Sequence, residues 1–163
     1  DWAIVSDIEQ NDDVLFKPLF SYEMVGICSK DHPLANKEVW QAEDFAEETW
    51  VTYPVPDDML DLYRQVLKPK GINPPRRTTE LTIALIQLVA SRRGIATVPY
   101  WAALPYLEKG YVVARKITEE GLYSNLYAAI RKEDANLAYI EDFHQTVKAQ
   151  SFSTLPGLSV LEL

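Results

Sequence analysis

Cysteine and histidine are nearly absent: Cys28, His32 and His144 are the only such residues in the 163. A lone thiol excludes an internal disulfide and fits a reducing, cytoplasmic setting. These three side chains form no recognised metal-ligand spacing, so no metal or cofactor is expected. No apolar run approaches the ~18 residues of a membrane helix, and no signal peptide precedes Asp1, so no membrane partner is expected. Positive charge is scarce as well. Lys and Arg number 16 against 24 Asp and Glu, a net charge of −8. Such a balance disfavours contact with DNA phosphates, because that contact needs cations. The clusters Arg76-Arg77 and Arg92-Arg93 read as solvated ends of elements. Catalytic signatures are missing too: no Gly-x-Ser-x-Gly elbow, His-Glu-x-x-His pair, phosphate loop or dinucleotide fingerprint. Enzyme activity is not expected.

What is present is a core. Hydrophobic residues make up 47% of the chain and charged residues 25%, as in an ordinary globular domain. The chain opens without Met and enters a strand at once, which predicts a fragment that begins inside a domain. Trp2–Val5 reads as a fully buried strand. Leu15–Phe20, interrupted by Pro18, reads as an edge strand or connector, and Tyr22–Ser29 as a buried strand. Asp31-His32-Pro33 is a turn. A short helix is expected over Ala42–Glu47 and a strand over Thr49–Tyr53. Met59, Leu62, Tyr63, Val66 and Leu67 recur at helical spacing, with Asp57 or Asp58 as cap and Gly71 beyond the end.

The run Leu81–Trp101 is the most informative. Leu81–Ala90 is apolar around most of a helix and so predicts burial, and Gly94 is suited to the left-handed turn that ends it. Ile95–Val98 follows as a strand closed by Pro99. Further strands are expected at Arg77–Glu80, Tyr111–Ile117 and Tyr123–Ile130. Helices are expected at Trp101–Glu108, shortened or kinked by Pro105, and at Asn136–Lys148. In the last helix Leu137, Ile140, Phe143, His144 and Val147 face inward. Cys28 and His144 read as packed core residues, and His32 as structural. Strands alternating with helices predict an α/β sandwich with a mixed sheet.

Such units place crevices at strand ends. Ser6 and Asp7 end one strand, Thr52 and Tyr53 another, Thr79, Glu80 and Thr82 begin the apolar helix, and Pro99 and Tyr100 follow the next strand. Hydroxyls and helix amides suit a carboxylate, Asp7 or Glu80 an ammonium, and Tyr53, Tyr100 or Trp101 an apolar wall. Together they suit a small zwitterion. Thr79 and Thr82 serve equally well as helix caps, and Pro99 as a strand stop.

The opening Trp2-Ala3-Ile4-Val5-Ser6-Asp7-Ile8, the stretch Asp31-His32-Pro33-Leu34-Ala35, and the helix followed by Gly94-Ile95-Ala96 and Pro99 carry a likeness. Together they resemble the effector-binding domain of LysR-type transcriptional regulators. Within that family the stretches Tyr53–Val55, Leu85–Pro99 and Leu126–Arg131 are similar to its regulators of methionine biosynthesis. The likeness covers roughly residues 2–148. It implies a type 2 periplasmic-binding-protein-like fold of two lobes with the ligand between them, the first lobe incomplete here. Residues 1–8 would be strand and hinge of the first lobe, 9–127 the second lobe, 128–150 the return hinge and first-lobe helix, and 151–163 a tail. It also implies homocysteine or a related small amino acid as effector, contacted at Ser6, Thr52 and Pro99. A homodimer or homotetramer is implied, with Asp58–Lys68 as the interface helix on this side, and DNA bound only through an absent N-terminal winged helix-turn-helix. A solute-binding protein of an amino-acid transport system shares the architecture and is the alternative. An enzyme of similar fold is a third possibility.

Overall fold

The structure, a computed structural model, describes residues 1–6, 8 and 11–162. Its strands, in chain order, are β1 (Trp2–Val5), β2 (Val14–Cys28), β3 (Val39–Trp40), β4 (Trp50–Thr52), β5 (Arg76–Thr78), β6 (Ile95–Pro99), β7 (Val113–Ile117), β8 (Leu122–Arg131) and β9 (Leu158–Ser159). The α-helices are α1 (Thr82–Ala90), α2 (Tyr100–Glu108) and α3 (Ala138–Thr154). The chain forms two compact units: Asp1–Tyr22 with Tyr123–Leu163, and Glu23–Leu122. Strands β2 and β8 run through the division, so residues 14–22 of β2 and 123–131 of β8 stand with the first unit.

In the second unit a mixed sheet has the order β3, β7, β2, β6, β4, β5. Strands β4, β5 and β6 are mutually parallel, whereas β2 is antiparallel to β6 and β7. Two apolar clusters fill this unit. One surrounds Trp40, Phe45, Trp50, Leu62 and Leu67, and the other Leu85, Ile86, Val89, Ala96 and Val98. The Trp40 indole packs so closely on Gly26 that a Cβ there would stand 2.4 Å from it.

Helix α1 buries Leu85, Ile86 and Val89 but leaves Leu81 and Ile83 in solvent, at 62% and 56% exposure. The expected burial around its circumference therefore does not hold, because the helix lies against β4 and β6 with one side only. Its end differs as well. Arg92, not glycine, takes the left-handed conformation, at φ 59°. The Arg92 and Arg93 amides donate to Val89 O and Leu88 O, the two bonds of a Schellman cap. Gly94 serves a different need, since a Cβ there would stand 2.4 Å from Thr49 O.

The segment expected as the clearest helix is irregular. A 3-10 turn at Asp57–Met59 leads to a π turn at Tyr63–Leu67, and a second 3-10 turn, Lys68–Lys70, ends on left-handed Gly71. Pro69 explains the widening, because its ring collides with the carbonyl four residues back in a regular α turn. Met59 stands outside the core at 60% exposure. The short helix expected at Ala42–Glu47 is a 3-10 turn over Ala42–Phe45. Helix α2 runs on to Glu108 despite Pro105.

In the first unit β8 lies between β1 and β2, and β9 pairs with β2 at Ser21 and Tyr22. Strand β2 is one 15-residue strand through Pro18, not two segments. Strand β1 pairs with β8 as an edge, so Ala3 and Ile4 are exposed and the expected full burial fails. Helix α3 continues past Lys148 to Thr154, and Ile140 and His144 form its buried positions. Phe143 and Leu137, expected inward, are exposed, with Phe143 edge-on to Trp2 at 4.9 Å.

Candidate functional site

Thr52 is fixed first, because β4 is buried along its whole length and Pro54 stops it. Val55 N–H donates to Tyr53 O at 2.9 Å, which turns the chain out of the sheet just past Thr52. Thr52 sits opposite Thr78 in the parallel register, and Thr79 N–H donates to Thr52 O at 3.0 Å, carrying the pairing one residue further. On the other side Val51 is level with Ala96, so β6 ends at Pro99, just past the same level. Three parallel strands thus finish together, the place where open α/β sheets hold ligands.

Both following helices begin at this end. Leu81 precedes α1 and Pro99 precedes α2, and neither supplies a side-chain acceptor for the first-turn amides. Those N–H groups and the helix dipoles favour an anion. Tyr53 and Tyr100 are half-buried against the cluster of Leu85, Val89 and Val98, a position for the expected apolar wall. Glu80 is exposed in the bend between β5 and α1. The Tyr53 hydroxyl lies 2.7 Å from Thr82 Oγ1, joining the end of β4 to the first residue of α1.

Thr52, Tyr53, Thr79, Glu80, Thr82, Pro99 and Tyr100 therefore gather at one end of the second unit. Ser6 belongs to the first unit and is exposed in the bend after β1, while Asp7 lies outside the described residues. The Tyr53–Thr82 pair was not legible in the sequence. Twenty-nine positions separate the two, and only the β5–α1 reversal brings them together.

Groups with potential chemistry also lie elsewhere in the fold. Cys28 is fully buried, and burial pushes its thiol up to about 11, against a smaller downward pull from Arg115. It is a poor nucleophile. His32 accepts Leu34 N–H on Nδ1 at 3.1 Å and meets Glu48 through Nε2 at 3.2 Å, so it caps its own turn. Burial holds His144 below its ordinary range. Arg76, expected in solvent, lies over the rings of Trp50 and Tyr63 at 5.0 and 5.2 Å and pairs with Asp57. No group of three or more His, Cys, Asp or Glu among the described residues is placed to hold a metal. Nor, among them, is any helix long and apolar enough to cross a membrane.

Residues 1–151 match the family model of the LysR substrate binding domain. The HTH-type transcriptional regulator MetR of Haemophilus influenzae is 84% identical over 163 residues, all of this chain and 53% of that protein. MetR of Salmonella typhimurium is 37% identical over 96% of this chain and 49% of its own length. The chain thus spans about half the length of these curated relatives. Among solved structures, the regulatory domain of MetR, a LysR family regulator from N. meningitidis, superposes with a TM-score of 0.93. It is 64% identical and covers 99% of this chain and 75% of its own. The effector binding domain of QuiR, solved with shikimate, shares the fold at a TM-score of 0.77 and 22% identity, covering 95% of this chain and 73% of its own.

Proposed function

The chain belongs to the LysR substrate-binding domain family, with its type 2 periplasmic-binding-protein-like α/β fold, and on that premise we propose that it senses an effector for a transcriptional regulator of methionine genes. The effector proposed is homocysteine or a related small amino acid. The observation that carries this reading is the shared ending of β4, β5 and β6, where Thr52, Thr79 and two uncapped helix starts offer hydrogen-bond donors. A carboxylate suits that end. Glu80 would meet the ammonium, and Tyr53, Pro99 and Tyr100 the side chain. Ser6 and Asp7 stay in the proposal as further effector contacts, on the family resemblance alone.

Effector binding would act by population shift. A ligand moves a regulator between two conformations only by its differential affinity for them. DNA contact is assigned to a winged helix-turn-helix of the complete, oligomeric regulator, since this chain carries a net charge of −8. The relatives reported above are transcriptional regulators, which supports this reading over a transport role.

Calorimetry of the full-length regulator with homocysteine, methionine and cysteine tests the assignment. Homocysteine should release heat, and Thr52→Val should weaken its binding by about tenfold. Silence from all three compounds removes the amino-acid reading.

A further inference from the structure

Tyr53 and Thr82 make the only side-chain hydrogen bond between candidate-site residues among those described, at 2.7 Å and with both groups part-buried. Either hydroxyl can donate in this contact, and a phenol is the stronger donor of the two, which favours the Tyr53 proton toward Thr82 Oγ1. A threonine oxygen that accepts still carries its own hydrogen. Inside a helix that hydrogen is commonly spent on the carbonyl four residues back. For Thr82, the first residue of α1, the residue four back is Thr78 in β5, outside the helix. No second side-chain hydrogen bond of Thr82 exists among the described residues.

We infer that Tyr53 is a positioning residue and Thr82 an effector contact. The phenol donates to Thr82 Oγ1 and so turns the threonine proton outward, onto an acidic ligand group such as a carboxylate. Two hydroxyls in series polarise one another, which strengthens the outer bond when the final acceptor is charged. This changes the part played by Tyr53 from apolar wall to orienting group, and it adds Thr82 as the residue that distinguishes a carboxylate from a neutral amide. The inference rests on the proposed effector reading of this strand end.

Calorimetry of the full-length regulator with homocysteine and with homocysteine amide tests it. The wild type should prefer the acid, and Tyr53→Phe should weaken acid binding about fivefold while changing amide binding less than twofold. Thr82→Val should cost about tenfold for the acid, and Thr82→Ser, which restores the hydroxyl, should recover it. If Tyr53→Phe weakens acid and amide equally, or neither, the inference falls while the effector reading stands. If Tyr53→Phe does not fold, the contrast between Thr82→Val and Thr82→Ser decides, and equal affinities overturn the inference. If the wild type binds neither compound, the effector reading fails and takes the inference with it.

Discussion

The two compact units divide the apolar residues unequally. Trp40, Phe45, Trp50, Leu85 and Ile86 of the second unit are at most 1% exposed and belong to two continuous clusters. Large apolar side chains stay in solvent in both units, Met59, Leu81 and Ile83 in the second and Ile4, Tyr139 and Phe143 in the first, whose residues belong to neither cluster. The first unit's contacts on α3 are individual ones: Trp2 against Phe143, Phe20 against Phe152, and Lys17 paired with Glu141. The lesson concerns where precision is available. A site that depends on strand ends meeting within a residue of register needs rigid support, and the second unit supplies it.

The largest break in that comparison should come from Trp40. Its fully buried indole donates to Leu34 O at 3.0 Å and covers Gly26, so Trp40→Ala should cost about 4 kcal/mol. Phe143→Ala in the first unit should cost about 1 kcal/mol, because half of that ring is already wet. Urea unfolding gives the magnitudes, and amide hydrogen exchange shows which unit loosens. Equal costs would erase the distinction.

Gly94→Ala should come next, at about 3 kcal/mol. A new Cβ would meet a backbone carbonyl that cannot swing away, at a φ of 155° that side chains rarely adopt. A loss below about 1 kcal/mol would mean that the approach of Gly94 to Thr49 relaxes freely.

The smallest effect belongs to His144 and depends on pH. Burial lowers its pKa below 6.5, Lys17 and Lys148 lower it further, and Glu141 opposes them. The unfolded chain therefore binds more protons below pH 6.5 than the folded one. The stabilising contribution of neutral His144 should be fully present above that pH and be lost as the pH falls. His144→Leu should flatten this slope, read by melting from pH 7.5 to 5, and an unchanged slope would exonerate the imidazole.

Legibility followed the range of the interaction. The β-branched run Ile95–Val98 closed by Pro99 was readable because a strand and its stop are local properties. So was Gly71 as the end of its segment. The π turn at Tyr63–Leu67 was not, although Pro69 stood in view, because the spacing of Leu62, Val66 and Leu67 fits either winding. Full burial of α1 and β1 was over-read for one reason: apolar composition tells that a face is needed, while the number of neighbours tells how many faces are covered. Thr52, Thr79 and Pro99 were found as strand and helix boundaries, and their shared level came from a parallel register that no single segment encodes.

By itself, then, the sequence determined that this chain alternates strands and helices and ends its central strands in hydroxyl and proline residues. Only the tertiary structure decided that Tyr53 reaches Thr82, that Arg76 lies on two aromatic rings, and that Gly94 exists for the closeness of Thr49. Local propensity acts over a few residues. Pairings across 13 to 45 positions depend on how the sheet brings its strands into register.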